Sequence, residues 1–300
     1  MSALHVACAS SALYLPHSAT MLHSVLAQRG PHPVHIHYLH GPDLPPDAAG
    51  RLEGMVDAAE GRISFVSVPD ERLAGLGVRP ELMPPWYRVI LAELLPDLGR
   101  VLYLDVDLIA VDSLGPLWMT PLEGNCVGAV TNVLPPEHTD RAQRLGLAGP
   151  GSYLNSGVLL FDLEAMRRTG CAERLRTYAL EHGPRLLWAD QDVLSVVLED
   201  RRLHLHPRWN CMNALFSFPW SEQVFGADAV EEARRRPGIR HFEGPSHCKP
   251  WHYRFAFDGA ELYRRHRRQT PWPRFWPEGV TPVNVARRIV RVVRRRAEAP

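Results

Sequence analysis

Two carboxylates stand two residues apart in Leu102-Tyr103-Leu104-Asp105-Val106-Asp107, where an unbroken apolar run ends. On extended backbone, positions i and i+2 point to the same side, so Asp105 and Asp107 are predicted to converge at the carboxyl end of a buried strand. Open α/β sheets bind ligands at that end. Converging carboxylates repel unless a cation lies between them, and hard oxygen ligands suit Mn²⁺ or Mg²⁺ rather than zinc. A cation held this way would neutralise a diphosphate. The plainer reading is a turn that Asp105 merely caps; the apolar run before the pair and Leu108-Ile109-Ala110-Val111 after it favour the ligand reading.

Three other runs carry polar groups that such a site would need. In Tyr153-Leu154-Asn155-Ser156-Gly157, a polar turn feeds an apolar strand; Asn155 can donate and accept, and Gly157 permits close backbone approach. Asp190-Gln191-Asp192 opens a helix. Asp190 fits an N-cap, which explains part of the acidity, yet three polar groups exceed what one cap requires, and the surplus suits a hydroxylated substrate. In the run from His241 to Trp251, His241 could complete a metal shell, and Gly244-Pro245 could aim the loop so that Lys249 meets phosphate oxygens. Lys249 is the only lysine among 34 basic residues, which singles out its compact ammonium.

The elements that must position these groups alternate between strand and helix patterns. Strands are predicted over 4–9, 34–39, 62–68, 101–104, 126–131, 157–161 and 239–242. Helices are predicted over 18–29, 46–59, 86–95, 163–180 and 190–198. That alternation is the mark of an α/β sheet joined through crossover helices. With 300 residues, 45% apolar and 22% charged, the chain has material for one large domain and an appendage, and it is not disordered throughout. Five scattered cysteines without a CxxC pair argue against a disulfide framework or a zinc cluster. No apolar run reaches the length of a membrane span, and the first dozen residues lack the pattern of a signal peptide, so a cytoplasmic location is expected.

Charge is divided unevenly. Residues 281–300 hold six arginines and one glutamate, a net +5, which leaves −4 on the rest of a chain whose total is +1. Val285, Ala286, Ile289, Val290, Val292 and Val293 share one side of a helical wheel. Arg287, Arg288, Arg291, Arg294 and Arg295 share the other. A basic amphipathic helix of this kind can lie in an anionic membrane surface, with an upper bound of about 1 kcal/mol per arginine before salt screening. Packing on its own domain is the alternative. The tail carries no aromatic platform for nucleic acid, and no nucleic-acid partner is expected. The expected organisation is a domain at 1–270, a Pro-rich linker at 271–282 and a tail helix at 283–300.

In this order the motifs resemble glycosyltransferase family 8, which includes bacterial lipopolysaccharide galactosyltransferases and glycogenin-like enzymes. The resemblance covers about residues 4–255 and rests on Tyr87-Arg88, the run ending in Asp105 and Asp107 with Asp112-Ser113-Leu114 and Leu117-Trp118 downstream, Asn155-Ser156-Gly157, Asp190-Gln191-Asp192, and His241 through Lys249-Pro250-Trp251. It implies the GT-A nucleotide-diphospho-sugar fold, a Rossmann-like mixed sheet flanked by helices. It also implies a metal-dependent retaining transferase moving a hexose, galactose or glucose, from a UDP-sugar to a glycan or lipid-linked acceptor; the basic tail adds the expectation of peripheral attachment at the inner face of the cell membrane. By the same resemblance Asp105, Asp107 and His241 would hold Mn²⁺ or Mg²⁺. Arg88, Asp105, Asn155, Asp190, Gln191, Gly244 and Lys249 would bind the donor, with Gln191, Asp190 and Lys249 at the reacting centre.

Two departures set this chain apart within that pattern. Where the family carries an Asp that meets uracil or ribose, this sequence reads Cys8-Ala9-Ser10-Ser11-Ala12, so base recognition is expected to differ. Ser246-His247-Cys248 places two extra residues before Lys249, which changes the register of the phosphate loop. The alternatives are a metal-dependent nucleotide-sugar phosphohydrolase and a non-catalytic nucleotide-sugar or glycan binder.

Overall fold

The computed structural model describes residues 3–76 and 83–288. Nine strands run in chain order among the described residues: β1 (Leu4–Ser10), β2 (Val34–His40), β3 (Arg62–Ser67), β4 (Arg100–Leu104), β5 (Leu108–Ala110), β6 (Val127–Thr131), β7 (Leu154–Asp162), β8 (Arg202–His204) and β9 (Ile239–His241). Seven form one mixed sheet in the order β3-β2-β1-β4-β7-β6-β8, and β5 pairs with β9 in a small second sheet. β1 is parallel to both β2 and β4, whereas β7 runs antiparallel to β4 and β6. This is the GT-A architecture, helices included. The chain proceeds from β1 outward to β2 and β3 and then returns to lay β4 on the other side of β1. The strand order therefore reverses between β1 and β4, the place where open α/β sheets leave a crevice for ligands.

Alternation along the central strands explains why the sheet is buried on both faces. Leu4, Val6 and Cys8 of β1, with Leu102 and Leu104 of β4, belong to one core cluster that also takes in α1 (Leu15–Ala27) and α2 (Pro46–Asp57). Ala7 and Ala9, with Val101 and Tyr103, belong to the other, closed by the helix Cys171–His182 and its neighbours. A strand clothed on both faces reads as a continuous apolar run, as 101–104 does.

The structure revises several expected bounds. The single helix expected over 163–180 is two, Leu163–Arg168 and Cys171–His182. Gly170 between them has φ +71°, a left-handed conformation that ends one helix and starts the next. The segment expected as a helix over 86–95 is a 3₁₀ stretch, Pro84–Ile90, followed by one α turn, Leu91–Leu94. Its paired prolines are accommodated at the start, where a helix needs no donor. β8 is a three-residue edge strand too short to signal itself in sequence.

Residues 271–280 run along the domain. Arg51 stacks over Trp272 at 4.3 Å, Arg267 Nε donates to the Trp272 carbonyl, and Tyr253 N donates to the Glu278 carbonyl at 2.9 Å. A helical turn follows at 282–288, where Arg288 lies 4.6 Å over the Tyr253 ring and donates to the Tyr253 carbonyl at 2.7 Å. The rest of the predicted tail helix, 289–300, lies outside the described residues. Among the described residues no helix is long and apolar enough to cross a membrane.

Candidate metal and donor site

Asp105 follows β4 directly, and its backbone N–H donates to the Gly157 carbonyl at 2.9 Å, which ties the end of β4 to the start of β7. The chain then turns through Val106 and Asp107 before β5 begins. The two carboxylates converge, but strand alternation is not the cause: they flank a turn, and β5 fixes the second of them. Leu108 is registered opposite His241, and Phe242 N donates to the Asp107 carbonyl at 2.9 Å. The small sheet thereby delivers His241 to the acidic pair. Ligand atoms of Asp105, Asp107 and His241 all lie within 4.8 Å of one another.

The donor set fits a divalent cation on chemical grounds. Asn210 Nδ2 donates to Asn155 Oδ1 at 2.7 Å, so the Asn210 carbonyl oxygen faces His241 Nδ1 at 2.8 Å and receives its proton. That leaves Nε2 as the nitrogen aimed at Asp107 Oδ1, 3.2 Å away. A lone pair facing a carboxylate needs a proton or a metal between them. Burial depresses the basicity of His241, but Asp107 outweighs it and raises the imidazole above its ordinary value. Burial likewise pushes the Asp107 carboxyl up, and the combined pull of Lys249 and His241 holds it well below the usual carboxylate range. A cation entering here would displace the Nε2 proton, so binding is coupled to proton release.

Gly157 makes this approach feasible. A Cβ there would sit 2.3 Å from His241 Cε1, 2.9 Å from its Nδ1 and 3.0 Å from Asp105 Oδ2. Lys249 reaches the same centre from the loop after β9, with Nζ on Asp107 Oδ2 and also 3.0 Å from the Phe242 carbonyl. Ser246–Cys248 forms a 3₁₀ turn, and Lys249 directly after it reaches Asp107. Gly244, at φ +99°, supplies the left-handed bend at the loop's start.

Arg88 is buried and organises the acids rather than presenting a free guanidinium. It donates to Asp105 Oδ1 at 2.6 Å, to the Pro85 carbonyl at 2.9 Å and to the Ser156 carbonyl. Its Nε lies 3.2 Å from Asp190 Oδ2 without the angle of a hydrogen bond, so that buried oxygen keeps an unused acceptor position. Burial pushes the Asp190 carboxyl up, Arg88 draws it down and Asp105 raises it again, to about 6. Asp190 is not the cap of its helix. The Trp188 N–H is taken by Asp192 Oδ2 at 3.0 Å, and Asp192 is wholly buried on Arg141 and the Tyr153 hydroxyl. The capping role thus belongs to Asp192, and Asp190 is released to the cavity.

Gln191 Oε1 accepts from Ser156 N at 3.1 Å, and its Nε2 donates to the Tyr153 hydroxyl at 3.1 Å. Asn155 Oδ1 accepts from Gly157 N at 3.0 Å, while its Nδ2 donates to Asn132 Oδ1 at 3.1 Å. Arg88, Asp105, Asp107, Asn155, Asp190, Gln191, His241, Gly244 and Lys249 all line one cavity of about 1000 Å³, which also carries Trp188, Phe218 and Phe257; Asp192, grouped with Asp190 and Gln191 from sequence, does not. Sequence reasoning missed Asn210 and Asn213. Asn210 orients His241, and Asn213 anchors the loop after β9 through the Glu243 carbonyl at 2.8 Å, while Glu243 accepts from Asn213 N and Ala214 N. Neither asparagine sits in a motif a single sequence makes visible; the only hint is two amides three residues apart in the segment that follows β8.

The glycosyl transferase family 8 model matches residues 5–254, five-sixths of the chain and every group of this cavity except Phe257. The chain belongs to glycosyl transferase family 8. General stress protein A of Bacillus subtilis (strain 168) is 28% identical over 192 residues, covering 62% of this chain and 65% of that protein. Lipopolysaccharide 1,2-glucosyltransferase of Escherichia coli (strain K12) is 24% identical over 190 residues, covering 62% of this chain and 54% of that protein. This family 8 chain therefore spans less than two thirds of either curated relative. The crystal structure of galactosyltransferase LgtC, in complex with donor and acceptor sugar analogues, superposes with a TM-score of 0.77 at 25% identity, covering 92% of this chain and 98% of that one.

Proposed function

We propose that this family 8 chain is a metal-dependent retaining hexosyltransferase that moves galactose or glucose from a UDP-sugar to a glycan or lipid-linked acceptor. The observation that carries this reading is the gathering of Asp105, Asp107, His241 and Lys249 on one wall of a cavity large enough for a nucleotide sugar. Donor and acceptor analogues bound to LgtC support a site of this shape. Mn²⁺ or Mg²⁺ held by Asp105, Asp107 and His241 would supply charge neutralisation to the pyrophosphate.

Every other part falls to the chain itself. Lys249 binds the diphosphate and stabilises the charge that grows on it as the bond from the anomeric carbon to the phosphate oxygen breaks. Asp190, through its unused oxygen, and Asn155 and Gln191 bind sugar hydroxyls, with Gln191 beside the anomeric carbon. Arg88 fixes Asp105 and Asp190 in place, and Trp188 and Phe257 offer apolar faces to a sugar ring. Gln191 is an amide, and Asp190 is paired in charge with Arg88 and spends its unused oxygen on the sugar hydroxyls, so neither is assigned the role of nucleophile. The acceptor hydroxyl attacks from the face the diphosphate leaves, and its proton passes to the departing phosphate oxygen.

A screen of nucleotide sugars with Mn²⁺ by thermal shift tests the donor, since a ligand stabilises the fold by RT ln(1 + [L]/Kd). UDP-galactose or UDP-glucose is expected to raise Tm, and UDP release without acceptor is expected to be slow. Rapid acceptor-independent release would make the protein a phosphohydrolase. Stabilisation with no turnover on any glycan acceptor would make it a binder.

The catalytic unit spans 1–270, joined through 271–282 to the basic tail 283–300, which attaches reversibly to an anionic membrane surface at the cytoplasmic face. Net positive charge and an amphipathic pattern support this; docking of Arg288 on Tyr253 anchors the tail's first turn to the domain. Full-length chain should sediment with anionic liposomes at low salt, and a chain truncated before residue 281 should not. Equal sedimentation of the two removes the tail from the proposal.

A further inference from the structure

His5 on β1 and His35 and His37 on β2 stand on one face of the sheet, because β1 and β2 are parallel with His5 registered to His35 and Ala7 to His37. Their ligating nitrogens all lie within 4.8 Å of one another. His5 Nδ1 is 3.0 Å from His37 Nε2, and the His35 and His37 ring centroids are 4.3 Å apart. Ser64 Oγ on β3 holds His35 Nε2 at 2.8 Å. Counted along the register, His5 lies level with Val101, four residues before Asp105, roughly 13 Å from the acidic pair at about 3.3 Å per residue. None of the three lines the donor cavity.

We propose that His5, His35 and His37 form a second metal site, selective for a borderline divalent transition ion of the zinc class and distinct from the acidic site at Asp105 and Asp107. Three imidazoles with no carboxylate among them are a poor set for Mn²⁺ or Mg²⁺ and a good one for Zn²⁺, at Zn–N distances of about 2.0–2.1 Å. Tetrahedral geometry at that bond length puts two ligating nitrogens roughly 3.3 Å apart, close to the His5–His37 separation. Ser64 is the outer partner that orients a ligand ring, a role commonly filled by a hydroxyl, carbonyl or carboxylate. Burial, then mutual repulsion and Arg62, pushes His37 down to about 3, so it is present at neutral pH in the uncharged state that ligates. His5 and His35 are lowered for the same leading reason. Partial exposure of His5 and His35 leaves a route for the ion and for a water or an external ligand in the fourth position. Such an ion would cross-link β1 to β2 at the end of the sheet remote from the donor.

The test uses the full chain with Asp105→Asn and Asp107→Asn together, which disables the acidic site, and titrates ZnCl₂ while following Tm. Zinc is expected to raise Tm, and His35→Gln or His5→Gln added to this background should weaken the response by more than about tenfold. Cobalt(II) in the same chain should give the intense visible absorption of a four-coordinate ion. Should the double carboxamide chain not fold, the stoichiometry of zinc retained by the parent and by His35→Gln decides instead, with one equivalent fewer expected in the variant. An unchanged zinc response in His35→Gln, or a weak six-coordinate cobalt spectrum, overturns the proposal.

Discussion

Asp107→Asn is expected to lower kcat by about two to three orders of magnitude, the scale on which one charge-stabilising group counts in a preorganised site. Asp107 is the residue on which the centre hinges, facing His241 Nε2 through one oxygen and Lys249 Nζ through the other. The substitution removes a full charge from the metal set and detaches the ammonium that would meet the diphosphate. The Mn²⁺ concentration needed for half-maximal rate should therefore rise along with the fall in kcat. Lys249→Ala separates the two contributions: kcat should fall while the metal requirement stays close to that of the parent. Steady-state rates over a manganese titration, with Tm recorded to confirm folding, supply both readouts. Parental activity in Asp107→Asn would remove the cation and its ligands from the mechanism.

Stability carries a related pH signature. The folded pKa of Asp107 is depressed, so its contribution is present above the unfolded carboxylate value and fades as pH falls through the folded one. Asp190 has the opposite sign: its pKa is raised to about 6, so the native state is favoured by its protonated form and loses that contribution as pH rises through 6. Asp190 is thus held ionised at neutral pH against a cost, a pattern associated with functional carboxylates.

Much of this was legible in the sequence because the signals are local. An apolar run closed by two acids states both where β4 ends and where charge collects. The three other polar runs sit where their strands or helices begin or end, and the structure brings part of each, though not Asp192, to one cavity. The reasons were not always as legible as the residues. Asp105 and Asp107 converge through a turn and a second small sheet, and that sheet depends on pairing Leu108 with His241, more than a hundred residues away. Asp190 reads as a cap by position, but capping is decided by which carboxylate reaches the Trp188 N–H, and the pairing of buried Asp192 with Arg141 settles that in favour of Asp192. The histidine triad is invisible for a similar reason. His5 is separated from His35 by a strand, a helix and a loop, and only the parallel register of β1 on β2 brings them together.

Gly157→Ala is expected to disable the centre without replacing any ligand. The added Cβ meets the His241 ring at 2.3 Å, far inside van der Waals contact, and Asp105 Oδ2 at 3.0 Å. His241 has nowhere to go: it is 2% exposed, pinned by Asn210 on one nitrogen and Asp107 on the other, and its backbone is paired to Leu108. The conflict must be met by displacing the imidazole or by opening β7 from the end of β4, where the Asp105 N–H bonds the Gly157 carbonyl. Overpacking of this kind costs about 1–3 kcal/mol, which lowers Tm but leaves a chain of this size folded. The functional loss is larger than the stability loss, because a ligand moved by even part of an ångström no longer completes the shell, and metal affinity should fall by about ten- to a hundredfold or more. The rise in Tm that Mn²⁺ gives the parent should shrink accordingly in Gly157→Ala, a comparison that separates lost metal binding from general destabilisation. An alanine variant with the parental manganese response would mean that His241 does not ligate, and the metal would then rest on the two aspartates alone.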